Sequence, residues 1–256
     1  MRGTAPEGHG PVRFGPFAPG AGLPALPELV EVCAAAAGPA TPEPPGGGPV
    51  LREAAAGYWS RRGLLSRPHD MAAAPGVQPL LFALLASYGG DLLLPRPCPA
   101  WWTPQARILG RPAYHVPTPA AYGGVPDPYA LLETVRRVRA EGGRPRVLLL
   151  SLPDDPTATV APPELVREAC EAAVGEGLRI ISDETWRDTV HDPEGTVLLS
   201  PAEMWPDEVT VIADTGGALT PAPWPMAVAR FPGTASGAAG RARAVDILTA
   251  LGALVA

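Results

Sequence analysis

Five carboxylates fall in three short clusters, and each cluster follows an apolar run. Asp154 and Asp155 follow the run from Arg146 to Leu152, Asp183 and Glu184 follow Leu178 to Ile181, and Asp214 follows Val209 to Ala213. Taken one at a time, such residues suit helix caps and turns. Gathered in one place they suit a hard cation or an amine, repel an anion, and split their pKa values as an acid beside a base does. The chemistry absent from the chain is as informative. There is no lysine and no asparagine, and all 20 basic residues are arginine. Arginine stays protonated, so no side-chain amine is available to attack a carbonyl carbon. His115 and His191 are single and far apart, which argues against a paired metal site. Ser151 and Ser182 lack the Gly-x-Ser-x-Gly setting of an activated serine. Cys98 reads as a small buried hydrophobe rather than a reactive thiol.

The elements that must position these groups are legible from periodicity. An amphipathic helix is expected from Leu26 to Ala37, followed by a loop through Pro44, Pro45 and Gly46 to Gly48. Helices follow over Leu51 to Arg62 and, after a Pro75-Gly76 turn, over Val77 to Ser87. Asp91 to Pro95 and Ala113 to Val116 read as strands. Asp127 as N-cap and Pro128 at the first helical position open a helix to Glu141, and Gly142-Gly143 close it. The run Arg146 to Leu152 is apolar throughout, as in a strand covered on both faces. A helix opened by Pro162-Pro163 connects it to Leu178 to Ile181, which makes one βαβ unit. Strands at Val209 to Ala213 and Met226 to Phe231 and a last helix from Arg241 to Val255 complete the pattern. The expected fold is α/β in three layers, a mostly parallel sheet with helices on both faces. Ligands of such sheets sit beyond the carboxyl ends of the strands, where the three acidic clusters lie.

The segment Ser151-Leu152-Pro153-Asp154-Asp155-Pro156-Thr157-Ala158-Thr159-Val160, a helix, and then Ile180-Ile181-Ser182-Asp183-Glu184-Thr185-Trp186 carry a resemblance. Together they resemble the large domain of the class I/II aminotransferases, the fold-type I enzymes that use pyridoxal 5′-phosphate. The likeness extends to Leu51-Arg52-Glu53-Ala54, to Pro75-Gly76-Val77-Gln78 and to Pro95-x-Pro97, and runs from about residue 24 to 256. It implies an N-terminal arm and loop over residues 1–48 and a large domain over 49–256, with the small C-terminal domain largely missing. By that resemblance Asp183 takes the place of the aspartate on the pyridine nitrogen, Asp155 that of an asparagine, and Trp186 that of a tyrosine on the cofactor oxygen. Asp214 takes the place of a phosphate-side serine, while Gly76 and Val77 open the helix that offers N–H groups to the phosphate. Pro99 stands where an aromatic stacks on the ring, with Trp101 and Trp102 as substitutes. The Schiff-base lysine falls on Gly217 and the phosphate-clamping arginine on Pro225.

Losing that set implies an aminotransferase-like protein inactive as a transaminase, a pseudoenzyme or an accessory protein of a biosynthetic pathway. Two alternatives stay open. Asp155, Asp183 and Asp214 gather a divalent cation or act as acid and base, or pyridoxal phosphate is held without a covalent bond on Asp183 and Gly76. The resemblance also implies a homodimer or a heteromeric partner, and a small-molecule ligand. Net charge near −6 without a basic cluster argues against nucleic acid, and no run reaches the ~18 apolar residues of a membrane span. Three widely spaced cysteines, Cys33, Cys98 and Cys170, suit a reduced, cytoplasmic protein.

Overall fold

A computed structural model describes residues 26–37, 42–192, 194–215 and 226–253. Among these residues seven strands form one sheet in the order β1-β7-β6-β5-β4-β2-β3: β1 (Met71–Ala74), β2 (Asp91–Arg96), β3 (Ala113–Pro117), β4 (Pro145–Ser151), β5 (Arg179–Asp183), β6 (Val209–Asp214) and β7 (Ala227–Arg230). β7 runs antiparallel to both β1 and β6, and the pairs β2–β3, β2–β4, β4–β5 and β5–β6 are parallel. The mixed, mostly parallel sheet agrees with the expectation from sequence.

The period of two along each strand divides the core between two faces. Leu148 and Leu150 of β4 pack with Ile180, Val209 and Val211 against α2 (Pro49–Ser60), α5 (Pro128–Ala140) and α6 (Pro163–Gly175). Val147 and Leu149 join Ile181 and Ile212 on the opposite face, under α3 (Val77–Tyr88), α4 (Trp102–Ile108) and the last helix, α8 (Ala235–Ala253). These leucines are fully buried, each contributing about 1.5–3 kcal/mol by leaving water. Helix starts follow the local signals: the Asp127 carboxylate accepts a hydrogen bond from Ala130 N at 2.8 Å, and Pro163 occupies the first turn of α6.

Three features differ from the sequence expectation. β1 is a run of Met and Ala, without β-branched residues, and becomes a strand because it pairs with β7. α4 and the short α7 (Pro201–Met204) were not anticipated. α1 (Pro27–Ala36) forms where the helix was expected and has no buried residue. The last helix begins at Ala235, ahead of Arg241, across two glycines that a propensity reading counts against it. The turn at Gly46 lies against this helix, where a Cβ would meet Val245 Cγ2 at 2.6 Å, and its carbonyl accepts from Ala73 N at 3.0 Å. Among the described residues no helix is long and apolar enough to cross a membrane.

Candidate active-site region

Strand register brings the acidic clusters to the carboxyl ends of the neighbouring strands β4, β5 and β6. Ser151 stands level with Asp183 across β4–β5, and Asp183 level with Ile212 across β5–β6, two residues before Asp214. Ile181 and Ile212 face the α3–α4–α8 side, so the alternation directs Asp183 and Asp214, each two residues further, to that same side.

Asp183 is 6% exposed, and its Oδ1 accepts from Thr185 N at 3.1 Å and from Thr185 Oγ1 at 2.6 Å. Thr185 Oγ1 also accepts from Asp214 N at 2.9 Å, so one hydroxyl ties the ends of β5 and β6 together. Burial pushes the Asp183 carboxyl up to about 6 against the Thr185 bonds, and the negative charges of Asp214 and Asp155 push the same way.

Glu184, next in sequence, does different work. It is fully buried, accepts from Arg187 Nη1 at 2.9 Å, from Ser182 Oγ at 3.2 Å and from Ser200 Oγ at 2.5 Å, and its carboxyl is raised by burial despite those partners. Ser200 in turn caps α7 in a capping box with Glu203. Glu184 is therefore a strut between β5 and α7.

The turn after β4 carries the other pair. Asp154 is buried and folds back on its own turn, Oδ2 accepting from Thr157 Oγ1 at 2.5 Å. Gly124, at φ +89°, closes over it, and a Cβ there would fall 2.3 Å from the Asp154 side chain. Asp155 is half-buried, its N–H donating to Ser151 Oγ at 3.1 Å. Burial raises both carboxyls, and Asp154 further raises Asp155. The same two aspartates add to burial in raising the Cys98 thiol, which makes it a poor nucleophile at neutral pH.

Asp154, Asp155, Trp186, Val190, His191 and Asp192 line a groove of about 630 Å³. Trp186 and Asp155 are thus brought together, while Asp183 and Asp214 lie to one side of the groove and couple to it through charge. Gly76 and Val77 open α3 beyond β1, three strand spacings or about 14 Å from β5. Gly76 N donates to Ala74 O at 2.8 Å, and Pro79 removes a further first-turn donor. Trp102 is fully buried in the core beside α3, so of the two tryptophans only Trp101, half-buried and edge-on to it at 6.2 Å, keeps any exposed surface. Gly217 and Pro225 lie outside the described residues. Among the described residues no three of His, Cys, Asp and Glu are grouped so as to hold a metal ion. Asp183 Oδ1 accepts from Thr185, and Asp155 lines the groove while Asp183 and Asp214 do not, so the three aspartates expected to gather a divalent cation are not grouped as one ligand set.

The model of the family described as aminotransferase class I and II matches residues 28–217. The chain belongs to this family. A probable aspartate/prephenate aminotransferase of Thermus aquaticus is 30% identical over 193 residues, covering 74% of this chain and 48% of that protein. Aspartate aminotransferase from Thermus thermophilus with maleate superposes with a TM-score of 0.76 at 23% identity, over 88% of this chain and 57% of that one. YbdL from Escherichia coli, for which a methionine aminotransferase function is identified, gives the same TM-score at 18% identity, over 90% and 60%. At those identities the structures show the fold, the large domain of fold-type I. The chain spans about half the length of the curated relatives it matches.

The family's cofactor is pyridoxal phosphate. The signals for Asp183, Asp155 and Trp186 were present in the sequence because they sit in linear motifs. Sequence reasoning missed Thr185, whose hydroxyl is bonded to both strand ends, and the Glu184–Arg187 pair. A Thr directly after an Asp-Glu strand end was the available signal for Thr185.

Proposed function

We propose that this chain is a family member without lysine-based transamination, acting through the binding of a ligand or partner, as an accessory protein of a biosynthetic pathway. One observation carries the reading: the 256 residues contain no lysine, so no side chain can form the covalent bond to the cofactor's aldehyde or shuttle the proton that lysine shuttles.

The surroundings support it. Pyridoxal phosphate brings a phosphate dianion and a phenolate-like oxygen. Asp183 suits a pyridinium N–H, but its neighbours do not suit the rest of the group. Trp186 offers an indole N–H and no acceptor, Asp155 adds a carboxylate in place of an amide, and Asp214 adds another. The Asp183 carboxyl is raised chiefly by its burial, and the negative charges of Asp214 and Asp155, which add to that rise, oppose a dianion. These residues do not fit the cofactor in the family manner.

The test is incubation with pyridoxal phosphate, borohydride reduction and dialysis, read by absorbance, intact mass and peptide mapping. No pyridoxyl adduct on an internal residue and no retained chromophore at the strand ends is the expected result. An adduct mapped to a side chain overturns the reading. A noncovalent chromophore that Asp183→Asn abolishes would establish instead that the cofactor is held on Asp183 and Gly76. An acid–base role for Asp183 is favoured by its value near neutrality, and the same variant tests it.

A further inference from the structure

The amino ends of the strands carry the opposite charge to the carboxyl ends. Arg146 stands at the start of β4 and Arg179 at the start of β5, and both line a cavity of about 380 Å³ together with Arg243 of α8. From Arg179 to Asp183 the strand advances about 13 Å, so this cavity is separate from the acidic groove.

Three observations point to what it takes. First, three arginines and one glutamate, Glu208, line the cavity, a formal local charge of about +2 on a chain whose net charge is −6. Among the described residues, none of the three arginines makes an ion pair within 4.0 Å.

Second, the centre is fixed in place. Arg179 donates from Nη1 to Asp207 O at 3.1 Å and from Nη2 to Ser236 Oγ at 3.0 Å, which holds its guanidinium between two elements. Arg146 and Arg243 are exposed at the rim. A planar fork of fixed N–H donors flanked by two exposed arginines, of which Arg243 also donates from Nη1 to Ser87 O at 3.5 Å, is suited to the oxygens of a phosphoryl group.

Third, the first turn of α8 opens on the same space, with Ser236 and Gly237 in the wall, and the positive end of a 19-residue helix adds to the arginine field. The volume lies at the lower end of the roughly 300–1,000 Å³ of small-molecule pockets, which limits the ligand to a compact one.

We propose that the cavity formed by Arg146, Arg179 and Arg243 at the amino end of the sheet binds a compact, multiply charged phosphoryl anion of the pyrophosphate or organic diphosphate class. The inference stands apart from the loss of transamination and holds whether or not that reading does.

Calorimetric titration of the chain with pyrophosphate at low ionic strength tests it, beside citrate as a carboxylate of like charge. One saturable site is expected, with citrate at least tenfold weaker. Arg146→Gln and Arg243→Gln each weaken pyrophosphate about tenfold, and together about a hundredfold. Both positions are exposed, and unchanged circular dichroism of the variants checks that they fold. Arg136→Gln on α5, in the densest run of arginines in the sequence, leaves binding unchanged. No saturable heat with pyrophosphate, equal binding of citrate, or full binding in the double variant would overturn the assignment.

Discussion

Asp183→Asn removes a charge that the fold holds at a cost. The wild-type carboxyl is 6% exposed and raised from 3.8 to about 6, chiefly by burial. At about 1.4 kcal/mol per pH unit, keeping it ionised costs the folded state about 3 kcal/mol. Between its unfolded and folded values the native state binds a proton that the unfolded chain has released. Stability therefore falls as pH rises through this window, and the full cost is present above about pH 6. Asparagine keeps an oxygen for the two bonds from Thr185 and carries no charge. The variant is expected to match wild type at about pH 4 and to exceed it by about 3 kcal/mol at about pH 8. With a urea m-value of about 3 kcal/mol/M this is a midpoint shift of about 1 M. Urea unfolding followed by circular dichroism at the two pH values measures it, and subtracting wild type from variant removes the other titrating groups. A variant no more stable than wild type at pH 8, or equally stabilised at both pH values, would refute the assignment of a costly buried charge.

Other perturbations separate supporting residues from ligand-facing ones. Arg187→Ala strands the Glu184 carboxylate, fully buried and 2.9 Å from the lost guanidinium, and is expected to cost about 3–5 kcal/mol in denaturant melts. Adding Glu184→Gln to that variant recovers part of the loss; no recovery would mean that Arg187 acts through other contacts. Gly124→Ala sets a Cβ 2.3 Å from Asp154 at φ +89° and is expected to lower stability by about 1–3 kcal/mol in a thermal melt. Phosphoryl-anion binding at the far end of the sheet should survive Asp183→Asn unchanged, since about 13 Å and the strand itself separate the two regions.

Much of the frame was legible in the chain. The apolar runs of β4, β5 and β6 announce strands covered on both faces, and Asp127-Pro128 announces the start of α5, because the physics behind those signals is local. Where packing over-rides propensity, the sequence is silent. Met71–Ala74 has nothing of a strand until β7 lies beside it. Gly240 argues against a helix until α3 approaches so closely that a Cβ would meet the Tyr88 ring at 3.0 Å. The sequence by itself decided that no lysine is present and that acid follows three strands, since both are facts of order and composition. Only the tertiary structure decided how each acid is held. Burial and mutual repulsion single out Asp183, Arg187 turns Glu184 into a strut, and Thr157 turns Asp154 inward. The structure alone also assembled Arg146, Arg179 and Arg243 around one cavity, because electrostatic energy depends on distance in space and not along the chain.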